Sequence, residues 1–410
     1  MSKFKPYKSV NKSDSLNLDQ IFESGILSKF LGVYSDEFYG GKYIQELEAA
    51  FEDKFQVKHA ISVNSWTSGL MIAVGSLDIE PGDEIITTPW TMSATAMSIL
   101  HFNAIPIFCD IDPNTFNIDA SKVESLITPR TKAILSVDIF GQSADTDKLN
   151  KIAKKYNIKV ISDTAQSITA KRKDKFAGTI TDIGGYSLNR HKHINTGEGG
   201  IVVTNDDDLA NRMRLLRNHA ENAVGPDKID TKLNNMIGFN FRMCEIEAAI
   251  AINQLKKVDE LIKKRCEVIS RLLDKLSSLP GLIIPYTDKD NTHVYYLLPL
   301  KLDLNYLNYS RDQIANKLIQ NNVPGIAQGY VNVHQLPLFQ AKIAFGSNHF
   351  PWSINSSIDY DYSHGICPVA EEFHDKSFFS LLICNYDLDF DDADLIFQSF
   401  CKTWDDLGIK

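Results

Sequence analysis

No apolar run in these 410 residues approaches the ~20 that a helical bilayer span needs, which argues against a membrane-spanning helix. Positive charge is also short. The 43 Lys and Arg stand against 52 Asp and Glu, a net charge of −9, so the basic footprint of a nucleic-acid binder is missing. Cysteine is sparse: Cys109, Cys244, Cys266, Cys367, Cys384 and Cys401 are scattered, with no CxxC pair. That scatter excludes a disulfide frame and a zinc site, and it fits reduced thiols. The opening MSKFKPYKSVNKSDSLNLDQ has no apolar stretch of the kind a secretory signal carries, so the expected location is the cytoplasm. Repeats and low-complexity tracts are absent as well. What remains, 43% hydrophobic and 23% charged, suits one large domain and a smaller one, each with a buried core.

From about residue 45 to 250, short β-branched runs alternate with helical stretches. The runs HAISV, EIITT, IPIFCDI, KAILSVDIF, KVISD, DIGGYSL and GGIVVT read as strands. YIQELEAAFEDKF, SGLMIAVGSL, DASKVESLI and TDKLNKIAKKY read as helices between them. This alternation predicts an α/β fold, a mostly parallel sheet with helices on both faces. Ligands of such sheets sit at the carboxyl ends of the strands. A long helical pattern starting at MCEIEAAIAINQLKK, with Ile246, Ile250, Leu255, Val258 and Ile262 near helical spacing, leads out of this domain. The expected division is residues 1–254 for the large domain and 255–410 for a smaller α+β domain. In the latter HVYYLLPLKL reads as a strand, and SRDQIANKLIQNN and DADLIFQSFCKTWDDL as helices. Residues 326–366 show no periodicity, and a long irregular segment in a compact domain tends to be functional.

Three segments carry chemistry. In YSLNRHKHINTGEGGIVVT, a strand delivers Ser187 into a loop, Lys192 follows five residues on, and glycines return the chain to a strand. Lys192 reads either as a solvated lysine among Arg190, His191 and His193, or as a Schiff-base former in a ligand loop. In KVISDTAQS, Asp163 ends a strand, as a helix N-cap or as the partner of the protonated pyridine nitrogen of pyridoxal phosphate. In SVNSWTSGLMIAV, Ser65, Thr67 and Ser68 at a helix start form either simple caps or a phosphate cradle. A fourth segment, TTPWTMSATA, could lay a side chain over a flat ring.

With these motifs in order, the sequence resembles the DegT/StrS family of pyridoxal-phosphate sugar aminotransferases. The likeness runs through NSWTSGL, PGDEII, TMSATA, IPIFCDIDPNTFNID, ISDTAQS, AGTITDIGGYS, the lysine loop, GFNFRMCEIEAAIAINQLKK and CPVAEEFHDKSFF. The resemblance implies the fold type I architecture and a homodimer with shared active sites. It implies that Lys192 forms the internal aldimine, Asp163 pairs with the pyridine nitrogen and Gln166 lies near the ring hydroxyl. Ser187 and the Ser65–Trp66–Thr67 turn would hold the phosphate, and Asn240 would reach the phosphate site of the neighbouring subunit. It further implies a ping-pong transfer from glutamate to a keto sugar on a nucleotide, the cofactor alternating between its PLP and PMP forms. No metal is implied. Two positions depart from the family: Trp66 stands where glycine is usual, and Met92 where an aromatic ring commonly covers the cofactor, with Trp90 nearby as a substitute.

Two rival readings share the fold, a sugar dehydratase and a catalytically silent cofactor- or sugar-binding regulator. In the dehydratases a histidine replaces the lysine. The five-residue intervals from Ser187 to Lys192 and from Lys192 to Gly197 place the lysine, not His191 or His193, in that register. For the sugar, His293, Tyr295, Tyr330, His334 and Trp352 are candidates to line the cleft. Ordinary packing is the alternative for each.

Overall fold

The computed structural model describes residues 4–33, 35–221 and 235–410. Its strands are β1 (His59–Val63), β2 (Glu84–Thr87), β3 (Ile105–Phe108), β4 (Thr131–Val137), β5 (Lys159–Asp163), β6 (Lys171–Arg172), β7 (Lys175–Phe176), β8 (Ile183–Ser187), β9 (Gly200–Thr204), β10 (Leu282–Ile283), β11 (Leu298–Leu302), β12 (Ile326–Gln328) and β13 (Phe378–Leu381). Seven of them form one sheet in the order β1-β9-β8-β5-β4-β2-β3. The pairs among β8, β5, β4, β2 and β3 are parallel, and β9 runs against both β1 and β8.

The period of two in these strands divides the apolar side chains between two cores. Ile61, Ile85, Ile161 and Val202 face one core, beneath the helices Trp66–Gly75 and Asp207–Arg217. Their neighbours Ala60, Ile201 and Val203 face the opposite one, under the helices Lys42–Phe55 and Glu245–Leu276. Farther along that face, Ile86 and Val160 meet the helix Thr146–Tyr156. That last helix shows why these segments stop and start where they do. The Asp145 side chain accepts from the Lys148 N–H at its start, and Asn157 closes it at φ 53°. Its apolar Leu149, Ile152 and Ala153 lie on the buried side, and its lysines on the other.

A second, antiparallel sheet has the order β10-β11-β13-β12. It packs with the helices Arg311–Gln320 and Phe390–Leu407 around a separate core. The expected boundary at 254/255 falls within the Glu245–Leu276 helix, which serves both cores: Ala248 to Ile262 pack in the first, Val268 to Leu276 in the second. Phe4, near the other end of the chain, also joins the second core. Two segments differ from expectation. DASKVESLI forms only a single 3-10 turn, Val123–Leu126. The strand read in HVYYLLPLKL begins at Leu298, because Tyr295 adopts φ 51° and breaks the extended run. The chain has no described helix long and apolar enough to cross a membrane.

Candidate active site

The sheet register gathers the polar motifs at one end. Val63 pairs with Gly200, Gly200 with Ser187, Gly185 with Asp163, and Asp163 with Val137. The loops after β1, β2, β5 and β8 therefore open into one cleft, with about 900 Å3 of open space. Ser65, Trp66, Thr67, Met92, Asp163 and Gln166 line it, and so do Ser187 and Lys192.

Ser65 caps the Trp66–Gly75 helix, its Oγ accepting from the Ser68 N–H at 3.1 Å. The N–H groups of Trp66 and Thr67 belong to the first turn and have no intrahelical partner. Ser187, at the end of β8, stands at the level of Val63 with Gly200 between them. Gly200 has to lack a side chain, since a Cβ there would lie 2.8 Å from the Trp66 nitrogen. Two hydroxyls and two free N–H groups around a bare backbone make a cradle for a phosphate.

Asp163 is buried, 5% exposed. Its Oδ1 accepts from Trp66 Nε1 at 2.6 Å and from the Ala165 N–H at 3.2 Å; its Oδ2 accepts from Thr95 Oγ1 at 2.8 Å. Burial pushes its carboxyl upward, and the bonds from Thr95, Trp66 and Ala165 oppose that shift. Gln166 is fixed from both sides: Oε1 accepts from the Phe140 N–H at 2.9 Å and Nε2 donates to the Tyr330 hydroxyl at 3.2 Å. One amide hydrogen of Gln166 is left for a ligand.

The lysine loop is held by its own backbone, with bonds from Arg190 N–H to the Gly197 carbonyl and from Lys192 N–H to the Asn189 carbonyl. Gly199, at φ 146°, turns the chain back into β9. Lys192 Nζ lies 4.4 Å from the centre of the Tyr296 ring. Among the described residues it forms no hydrogen bond or ion pair. Burial lowers its pKa to about 8, with the charges of Asp163 and Cys384 acting the other way. Of the histidines beside it, only His193 is turned elsewhere. His193 is buried and bonds the Val294 carbonyl through Nε2 at 2.9 Å, which anchors the loop; burial pushes its pKa well below the usual imidazole range. His191 is exposed at the cleft mouth.

Some expected residues stand outside. Trp90 is fully buried against Tyr330, Phe373 and Phe378, so Met92, 59% exposed, is the side chain at that wall of the cleft. Of the five sugar candidates only Tyr330 lines the cleft, and burial pushes its hydroxyl up to about 12. The other four have packing roles. His293 stacks on Tyr295 at 4.1 Å and accepts the Tyr295 N–H, while His334 bonds Glu371 at 2.8 Å. Trp352 donates to the Tyr362 hydroxyl at 2.9 Å. Asn240 is exposed and does not line its own chain's cleft; its Oδ1 accepts from Arg242 Nε at 2.8 Å. Tyr296, Thr91 and Thr95 were not among the expected residues. Strand alternation past Tyr295 could have pointed to Tyr296, whereas nothing in the sequence marked the two threonines.

The buried carboxylate of Asp163, an amine of lowered pKa and a cradle of N–H and hydroxyl donors in a single cleft fit the three polar handles of pyridoxal phosphate: ring nitrogen, aldehyde and phosphate. Known proteins agree. The chain is 40% identical over 279 residues to GDP-perosamine synthase of Caulobacter vibrioides, covering 68% of this chain and 74% of that one. It is 35% identical over 311 residues to UDP-2-acetamido-2-deoxy-3-oxo-D-glucuronate aminotransferase of Pseudomonas aeruginosa, covering 75% and 82%. The solved aminotransferase from Psychrobacter cryohalolentis superposes with a TM-score of 0.82 at 27% identity, covering 99% of this chain and all of that one. A GDP-4-keto-6-deoxymannose-3-dehydratase also superposes, with TM-score 0.78 over 96% of this chain and 99% of that one. At 23% identity it shows the shared fold alone. Residues 32–359 match the DegT/DnrJ/EryC1/StrS aminotransferase family as a whole. The chain belongs to that family, and it is a pyridoxal-phosphate-dependent aminotransferase of the fold type I architecture.

Proposed function

We propose that the protein transfers an amino group from glutamate to a nucleotide-linked keto sugar, in two half-reactions that share one cleft. The observation that carries the reading is Lys192, an amine in the cleft whose pKa of about 8 leaves a useful neutral fraction near physiological pH. Two relatives named for GDP- and UDP-linked sugars support the acceptor class.

Bound pyridoxal phosphate supplies an aldehyde that condenses with amines and a ring that takes up the electron pair released at a deprotonated carbon. The chain does the rest. The Trp66 and Thr67 N–H groups, with the Ser65 and Ser187 hydroxyls, bind the phosphate. Asp163 would hold the ring nitrogen and keep it protonated, and Gln166 would donate to the ring hydroxyl. Lys192 Nζ, in its neutral form, would be the amine that holds the cofactor, and when freed by the donor amine it would be the base and acid that moves a proton between donor carbon and cofactor. Met92 and Tyr330 form part of the cleft wall.

The working unit in this reading is a homodimer. Lys192 is the one lysine or arginine lining the cleft among the described residues, so the phosphate end lacks a second positive charge from its own chain. Asn240 lies among exposed apolar side chains, Leu27, Leu31, Val33 and Ile237, the last 82% exposed. Such a patch suits a second copy, which would bring the partner's Asn240 to the cradle.

Half-reaction spectroscopy tests the proposal. Glutamate alone should bleach the bound cofactor's visible absorbance and release 2-oxoglutarate, and a keto-sugar nucleotide should then restore the colour. A sugar product that has lost a hydroxyl and gained no nitrogen would establish the dehydratase instead. Unchanged colour with glutamate would favour the silent regulator.

A further inference from the structure

Trp66 stands where a glycine would supply the phosphate turn equally well, so its side chain calls for an explanation. The indole drops beneath the end of the sheet, 6% exposed, into a slot left by two glycines. A Cβ on Gly185 would lie 2.1 Å from Trp66 Cζ3, and one on Gly69 2.7 Å from Trp66 Cε3. In that slot Nε1 reaches Asp163 Oδ1 at 2.6 Å, a short, fully buried bond to a carboxylate.

The protons around Asp163 can be counted. Oδ1 takes two donors, Trp66 Nε1 and the Ala165 N–H. Oδ2 takes one, Thr95 Oγ1. Because the Thr95 proton is committed to the carboxylate, its 3.0 Å contact with Thr91 Oγ1 has Thr91 as donor. A carboxylate offers about four acceptor directions, so one remains, on Oδ2, in a residue that lines the cleft.

We infer that Trp66 is a positioning residue for the cofactor's ring nitrogen. Its indole N–H saturates Oδ1 and keeps Asp163 ionised, so the remaining Oδ2 direction serves the ring, while its backbone N–H lies in the phosphate turn. One residue thereby ties the two anchors of the cofactor site together. The inference rests on the proposed pairing of Asp163 with the ring nitrogen. Burial favours the neutral carboxylic acid, and each donor to Asp163 works against that. Without the indole donor, the carboxylate draws the proton away from the ring nitrogen, and a neutral ring accepts electrons poorly.

Packing alone would be preserved by phenylalanine, so Trp66→Phe separates the two roles. The holoenzyme is prepared with pyridoxal phosphate isotopically labelled at the ring nitrogen, whose NMR shift reports its protonation. Wild type should remain protonated through neutral pH, and Asp163→Asn should show a neutral ring. Trp66→Phe should lose the ring proton about one pH unit lower than wild type, the tenfold that a single charge-assisted bond contributes at its low end. Its kcat should fall by about tenfold with KM for glutamate unchanged. A wild-type titration in Trp66→Phe beside a shifted one in Asp163→Asn overturns the inference and leaves Trp66 a packing residue. Wild-type behaviour in both variants overturns the Asp163 pairing, and the inference with it. Should Trp66→Phe fail to fold, wild type decides. Among the indole N–H resonances of its four tryptophans, that of Trp66 should be far downfield and protected from exchange. A Trp66 resonance that exchanges like free indole contradicts the bond.

Discussion

Asp163→Asn separates catalysis from folding more sharply than any other single change here. The amide has two orientations. With its NH2 on the Oδ1 side, it confronts two donors, Trp66 Nε1 and the Ala165 N–H, and both bonds become donor against donor. With its NH2 on the Oδ2 side, it confronts only Thr95, whose hydroxyl can turn to donate to Thr91 and accept from the amide. The second orientation therefore wins, and it points an N–H at the ring nitrogen, which then has to be an unprotonated acceptor. Losing a hydrogen bond between charged groups costs about 1.5–3 kcal/mol, roughly tenfold to a hundredfold or more in rate. Stability should go the other way. Burial raises the Asp163 pKa above its unfolded value, so above that pKa the ionised group costs the cofactor-free fold stability. The cofactor-free variant should thus melt no lower than wild type at neutral pH, while the glutamate half-reaction, followed by stopped-flow absorbance, slows by that factor. A variant that binds cofactor and keeps the wild-type half-reaction rate would refute this account of Asp163.

Other consequences follow from the same geometry. Capture of pyridoxal phosphate by the cofactor-free protein should quicken about tenfold per pH unit up to about 8 and level off above, because only neutral Lys192 attacks; a flat profile contradicts a lysine of lowered pKa. Borohydride reduction should fix the cofactor covalently to wild type and not to Lys192→Ala, as read by intact mass. If sites are shared between subunits, Lys192→Ala and Asn240→Ala, each impaired alone, should regain activity when mixed and reassembled, and no recovery would place Asn240 outside the site. His334→Ala, which deprives buried Glu371 of a donor, should destabilise the fold by about 1–3 kcal/mol and leave KM for the sugar unchanged.

The strand-end residues were legible from sequence for a physical reason. A short strand that ends in a polar residue puts that residue at the carboxyl end of a parallel sheet, and KVISD and IGGYS place Asp163 and Ser187 there with no tertiary information. Lys192 followed from the glycines that close its loop. The sugar candidates did not follow, because in irregular segments tertiary packing sets side-chain direction: His334 turned to Glu371 and Trp352 to Tyr362. Tyr295 missed by one position, since its φ of 51° sends its ring onto His293 while Tyr296 turns toward Lys192. The bond from Trp66 to Asp163 spans 97 residues of sequence, and only the folded sheet brings its ends together.

The central claim is transfer of nitrogen from glutamate to a sugar, and it is tested most directly by the fate of that nitrogen. The holoenzyme is given glutamate with a heavy-nitrogen amino group and a panel of nucleotide-linked keto sugars, and the products are weighed by mass spectrometry. The account predicts an amino-sugar nucleotide carrying the heavy isotope, with 2-oxoglutarate released in equal amount. A sugar that has lost a hydroxyl and carries no heavy nitrogen would contradict it.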